Sequence, residues 1–327
     1  MLLHGIYLFT TVFSIIAAIT NDDNYDLDEF EKNNDFNNFS MLLQERVKVF
    51  CIILTTPKNK YSRVIPQINT WVKRCSNWVY ASSVDDPSIK AIKAFPSDDY
   101  RFSYGKIRGA IQHVYAEYKD TFDYILKIDD DSFIVMENLR MFLLNKNASE
   151  EKYFGYRLDF NSFGHHNYHQ GGAGYVLSIG AIKKLVNEGF SNPNKCFQGA
   201  DSWDDREIGH CMENMNIDIS DVKDFKGRIV FTPSSVVDFT TLNDNHQFNF
   251  FCSMNAGGCL KENLSTFPIS FHYISADMQY ALEYLFYKAK IIGQNKYFIE
   301  SLLTCKDGEI CTDEIEKIQE YSRQFYP

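Results

Sequence analysis

The sequence predicts an α/β protein built on one mainly parallel central sheet. Short apolar runs ending in turn residues alternate with segments whose apolar residues recur at helical spacing, the order of strands joined by right-handed crossover helices. The sharpest polar cluster, Asp129-Asp130-Asp131, directly follows one of those runs, where such sheets place their ligands.

The elements follow in order. Residues 21–45 are polar, rich in Asn and Asp, and without apolar periodicity, which reads as a linker. Residues 47–55, VKVFCIILT, form a continuous apolar run and a buried strand. Residues 64–74 are amphipathic and predict a helix, and 77–81 a second strand. Residues 102–118 predict a helix with Ile107, Ile111, Val114 and Tyr118 on one face. FDYILKI at 122–128 predicts the strand that delivers the aspartates; 137–144 predicts a helix and 153–158 another strand. VLSIGAIKKLV, after a glycine-rich turn, predicts a helix. The tail from about residue 295 carries two cysteines and a charged, helix-like stretch.

The 327 residues suit one large α/β domain or two small ones, and 45% apolar content with 15% aromatic supplies a large core. The net charge is −10, with much of the acidic excess before residue 41. No cluster of Lys and Arg is present, which argues against a nucleic-acid partner. Residues 2–20 are apolar with one His, fitting either a membrane anchor or a cleaved signal. Both place the body in an oxidising lumen. Eight cysteines and three N-x-S sequons, at Asn38, Asn147 and Asn263, agree with that. The simplest cysteine pairing joins neighbours: Cys51–Cys75, Cys196–Cys211, Cys252–Cys259 and Cys305–Cys311. No Cys/His spacing suits structural zinc.

Four motifs could carry chemistry. Three adjacent carboxylates repel one another, and a hard divalent cation relieves that repulsion; oxygen ligands suit Mg²⁺ or Mn²⁺. The alternative is an acidic turn that caps the next segment. Gly171-Gly172-Ala173-Gly174 lets backbone approach a ligand or another segment closely, or is a tight turn. The acids of Trp203-Asp204-Asp205-Arg206 can stabilise a helix N-terminus, or supply a general base. His272, between Phe271 and Tyr273, is either a core histidine or a ligand.

Taken together and in this order, these motifs resemble the core 1 β1,3-galactosyltransferases, within the Fringe-like inverting β1,3-glycosyltransferases. The resemblance covers roughly residues 46–292 and includes FCIILTTP, TWVKRC, YILKIDDDSFIVMENLR, YFGYR, GGAGYVLS, DDREIGHCMENMN and SFHYISADMQYALEYLFY. It implies a Rossmann-like GT-A catalytic domain at 46–295, preceded by a signal-anchor at 1–21 and an acidic stem at 22–45, with a tail at 296–327 that holds Cys305 and Cys311. It further implies a type II protein of the Golgi membrane with a lumenal catalytic domain, secretion after signal cleavage being the alternative.

By the same resemblance Asp129 and Asp131 would hold Mn²⁺ and the donor diphosphate, with His272 completing the metal shell. Asp205 would be the catalytic base. Donor UDP-galactose would also meet Leu54, Thr55, Asp98, Arg101, Lys106, Asp130 and Tyr273; the acceptor would meet Gly172, Tyr175 and Asp204. The implied acceptor is GalNAc O-linked to Ser or Thr of a glycoprotein. A homodimer stays open, as do a different donor or acceptor and a catalytically silent folding partner, which would have lost the metal aspartates. Two departures bear on the acceptor side: the stretch DFTTLNDNHQFNFFCSMNAGGC lacks the expected Trp, and Gly105 replaces a large aromatic.

Overall fold

The structure is a computed structural model that describes residues 34–160, 165–241, 246–255, 263–289, 318–320 and 322–323. The apolar segment 2–20, the start of the acidic stretch, and Cys259, Cys305 and Cys311 lie outside the described residues. Among the described residues no helix is long and apolar enough to cross a membrane.

The chain enters through helix α1 (Asn34–Arg46) and strand β1 (Val49–Leu54). A short helix α2 (Ile65–Asn69), strands β2 (Asn77–Ser82) and β3 (Ala91–Lys93), helix α3 (Ser103–Tyr118) and strand β4 (Tyr124–Asp129) follow. Beyond the acidic triplet come β5 (Phe133–Ile134), α4 (Met136–Leu143), β6 (Tyr153–Gly155), β7 (Arg157–Leu158), β8 (Tyr168–His169), β9 (Tyr175–Ser178) and α5 (Ile179–Lys184). Last are α6 (Asp204–Asn214), β10 (Ile219–Asp221), α7 (Val236–Thr241), α8 (His246–Ser253), β11 (Ser270–Phe271) and α9 (Ala276–Tyr287).

Seven strands form the central sheet in the order β10-β6-β9-β4-β1-β2-β3. All neighbours are parallel except β9, which runs antiparallel to β4 and β6. This is the α/β architecture with a mainly parallel sheet that the sequence predicts. Both faces are covered, and β1 shows how: Val49, Cys51 and Ile53 enter one apolar layer, Phe50 and Ile52 the other. Helix α3 seals the second layer with Ile107, Ile111 and Val114, all fully buried; each such side chain contributes roughly 1.5–3 kcal/mol. The chain reverses direction across the sheet at β1, with β2 on one side and β4 on the other. The crevice beyond their carboxyl ends is therefore the expected ligand position.

Three local expectations are corrected. Segment 64–74 is not one helix: α2 stops at Thr70, whose backbone (φ −115°, ψ −111°) is not helical and whose hydroxyl donates to the Pro66 and Gln67 carbonyls. VLSIGAIKKLV is not helical from its start, because Val176 and Leu177 pair on both sides, and Ser178 on one, as β9. The acidic linker becomes helical at Asn34: Phe39, Leu42 and Leu43 lie on one face and pack with Ile318, Met141 and Leu144. Those apolar residues are too few and too late to show as a pattern across 21–45.

Two disulfides join described residues, Cys51–Cys75 and Cys196–Cys211, as the neighbour pairing expects. Cys252 is also bonded, to a cysteine outside the described residues.

Candidate active site

Side chains alternate along β4, so Lys127 and Asp129 share the face opposite Leu126 and Ile128. Lys127 is buried at 1% exposure, and its ammonium sits 2.8 Å from Asp129 and 2.8 Å from Asp204. It also donates to the Gly171 carbonyl at 3.3 Å. One buried cation thus ties the end of β4, the first turn of α6 and the glycine-rich turn together.

Asp130 is buried and faces β1: it accepts from Thr55 (2.6 Å), Asn59 (2.8 Å) and Arg63 (2.9 Å). Asp131 turns the other way, toward His272, with Nε2 at 3.4 Å and Arg63 at 3.1 Å. The ligand atoms of Asp129, Asp131 and His272 lie within 4.8 Å of one another. A two-stranded ribbon sets this distance: β5 follows Asp131 almost directly, β11 immediately precedes His272, and they pair as Phe133↔Phe271 and Ile134↔Ser270. The Ile274 amide then donates to the Asp131 carbonyl at 2.7 Å.

This donor set fits a hard divalent cation. The His272 Nδ1–H donates to the Pro233 carbonyl at 3.2 Å, which orients the ring so that Nε2, the nitrogen that would ligate a cation, points toward Asp131. Two carboxylates and one such imidazole suit Mn²⁺ or a similar ion. Burial pushes the Asp129 carboxyl above its ordinary range. Burial acts the same way on Asp131, but the His272 hydrogen bond and the His272 and Arg63 charges prevail and hold it low.

Backbone crowding explains the glycines. A Cβ at Gly172 would stand 2.0 Å from the His272 ring, and Gly174 has φ +83°. Beside His272, Tyr273 is held at φ 53°, rare for an aromatic residue, with its ring stacked on the imidazole at 3.6 Å.

Asp205, in the first turn of α6, accepts from the Gly171 amide (3.1 Å) and the Arg206 amide (2.8 Å). Burial and the charge of neighbouring Asp204 push its carboxyl up to about 7 against the pull of Lys127. A carboxylate poised there suits general-base work at neutral pH.

These groups line a cavity of about 590 Å³, within the range of small-molecule sites. Of the residues the sequence singles out, Leu54, Thr55, Asp98, Lys106, Asp129, Asp130, Asp131, Gly172, Asp204, Asp205, His272 and Tyr273 all line it. Lys106 is fixed at its floor, donating to the Thr55 carbonyl (2.8 Å) and Asp98 (2.7 Å). Two of the expected residues stand outside it. Arg101 does not line the cavity; it is exposed and paired with Asp99 at 2.8 Å. Tyr175 is fully buried on β9, its hydroxyl 3.5 Å from Asp204, and offers no surface to an acceptor. Gly105 is small because Ala200 and Phe95 already occupy its side, 2.8 and 3.0 Å from where a Cβ would stand.

Sequence reasoning missed Asn59, Arg63, Tyr100, Trp203 and Phe250, which also line the cavity, and the role of Lys127. Lys127 left a signal, as a lone charge inside an apolar strand. Arg63 and Asn59 left none, because the helical turns that carry them return to the site only in three dimensions.

Residues 44–231 match the Fringe-like family. The chain is 32% identical over 260 residues to glycoprotein-N-acetylgalactosamine 3-beta-galactosyltransferase 1 of Xenopus laevis, covering 79% of this chain and 71% of that protein. It is 25% identical over 190 residues to the human beta-1,3-glucosyltransferase, 57% of this chain and 37% of that protein. The mouse beta-1,3-glucosyltransferase is 24% identical over 178 residues, 54% and 35% of the two chains. The chain therefore belongs to the Fringe-like family.

Proposed function

We propose that this chain is an inverting, Mn²⁺-dependent β1,3-galactosyltransferase that moves galactose from UDP-galactose to the 3-hydroxyl of O-linked GalNAc on glycoproteins. The observation that carries it is the convergence of Asp129, Asp131 and His272 with Asp205 in one cavity at the β1/β4 crossover. The identity to the Xenopus galactosyltransferase over most of both chains supports the choice of donor and acceptor.

The chemistry follows from placement. Asp205 accepts the proton of the acceptor hydroxyl as its oxygen bonds to the anomeric carbon and the bond to UDP breaks. Attack opposite the leaving group inverts that carbon, so one base suffices. Asp129, Asp131 and His272 would hold the divalent cation, whose chemistry is to neutralise charge on the departing diphosphate. Lys106 and Arg63 add fixed positive charge on the cavity wall. On this reading the catalytic domain works in the Golgi lumen, attached through residues 1–21, which agrees with its disulfides.

The test is UDP release from UDP-galactose with Mn²⁺ and a GalNAc-threonine peptide, on the wild type and on Asp131→Ala and Asp205→Ala. Metal-dependent turnover lost in both variants is the expected result. Wild-type protein that binds UDP-galactose but never transfers to GalNAc would overturn the acceptor assignment. The matches to beta-1,3-glucosyltransferases favour a second donor, so UDP-glucose is assayed in parallel.

A further inference from the structure

Trp203 is 50% exposed and lines the cavity immediately before Asp204 and Asp205. Its backbone is fixed on both sides. The Ser202 carbonyl accepts from the Tyr104 amide at 3.0 Å, the Asp204 amide donates to the Ser103 hydroxyl at 3.0 Å, and the Glu207 amide donates to the Trp203 carbonyl at 3.1 Å. Ser202 Oγ also donates to Glu207 at 2.7 Å. The indole itself makes no hydrogen bond and no ring contact among the described residues. A large apolar ring on a rigid mount, half-exposed in the cavity beside a candidate base, is placed to meet a ligand.

We propose that Trp203 is a stacking platform for a pyranose ring, and so a positioning residue that holds a sugar against Asp205. This rests on the glycosyltransferase reading above. A sugar ring has an apolar face of C–H groups that matches an indole, while the indole N–H remains available to a hydroxyl. The sugar is either the acceptor residue or the donor's transferred residue, and the test separates the two. The platform also answers the missing Trp of the 238–259 stretch, since the aromatic surface comes from a different element.

The chain has three tryptophans. Trp71 is fully buried, and Lys90 covers Trp78 at 3.9 Å. Trp203 is thus the most exposed of the three fluorophores. The full chain with Mn²⁺ and UDP is titrated with a GalNAc-threonine peptide, and in a second arm UDP-galactose replaces UDP. The expected result is that one of the two sugars shields Trp fluorescence from acrylamide beyond UDP alone, and that Trp203→Phe removes this signal. The KM for that ligand rises about tenfold in Trp203→Ala with kcat retained, and Trp203→Phe restores it. Shielding by the peptide assigns an acceptor platform; shielding by UDP-galactose assigns a donor platform. Sugar binding seen by calorimetry without either shielding or a KM change overturns the platform and leaves the enzyme reading intact. Absence of any sugar binding overturns both.

Discussion

Replacing Lys127 with Met tests the central electrostatic claim about the site. The ammonium is 2.8 Å from both Asp129 and Asp204, at 1% exposure. Met keeps most of the stem's volume and removes the charge, leaving two carboxylates facing each other without their cation. Removing one partner of a buried ion pair costs about 3–5 kcal/mol. For a domain of this size that is a fall of roughly 6–20 °C in Tm. The assay is thermal unfolding of metal-free protein, in chelator, at pH 5 and pH 8. Lys127 has its pKa raised in the folded state, so its contribution is fully present below 10.5, does not change between these two pH values, and is lost only as pH rises through the folded value. Asp129 already has a raised pKa from burial. In the variant its ionised form costs stability at pH 8, and that cost is relieved as pH falls through its folded pKa. The deficit is therefore larger at pH 8 than at pH 5. A loss under about 1 kcal/mol, or one equal at both pH values, would refute the reasoning and reduce Lys127 to packing.

The remaining predictions concern the base, the metal shell and the frame. The pH profile of kcat/KM rises through a midpoint near 7 as Asp205 loses its proton; Asp204→Asn removes the like charge beside it and moves that midpoint to lower pH, read from initial rates. Asp205→Asn lowers kcat by about 10²–10⁴-fold while UDP binding, measured by calorimetry, is kept. Gly172→Ala drives a Cβ into the His272 ring, so its Mn²⁺ affinity, followed by electron paramagnetic resonance, falls by at least about tenfold although no ligand has been removed. Replacing Cys196 and Cys211 together with Ser opens a 15-residue loop and costs about 3 kcal/mol in urea unfolding.

The parallel sheet and its crevice were legible because the signal is local: apolar runs of strand length, each followed by a turn or a helical period. The carboxylates were legible for the same reason, since Asp129–Asp131 end such a run and Asp204–Asp205 open a helical period. What escaped depends on through-space packing. Thr70 breaks a helix by turning its hydroxyl onto its own preceding turn, which no periodicity records. Val176 and Leu177 are equally apolar as helix or strand, and only pairing, of Val176 with Leu126 and Phe154 and of Leu177 with Ile125 and Tyr153, decides. The family resemblance places Tyr175 at the acceptor, but strand alternation turns its side chain into the core. Trp203 reads in sequence as the residue before a helix, and its meaning comes from the cavity it faces.

The ribbon of β5 and β11 joins two residue pairs separated by more than a hundred positions, and it does so with only four residues. The span between them is closed at its ends, so the parts of it that touch neither residue can vary without moving Asp131 relative to His272, whereas Gly172 and Pro233, also within it, are held by their contacts with the imidazole. Residues 238–259 lie within that span and depart from the expected acceptor stretch. A lineage with this arrangement can rework what it recognises by changing that stretch, while the candidate cation site keeps its dimensions.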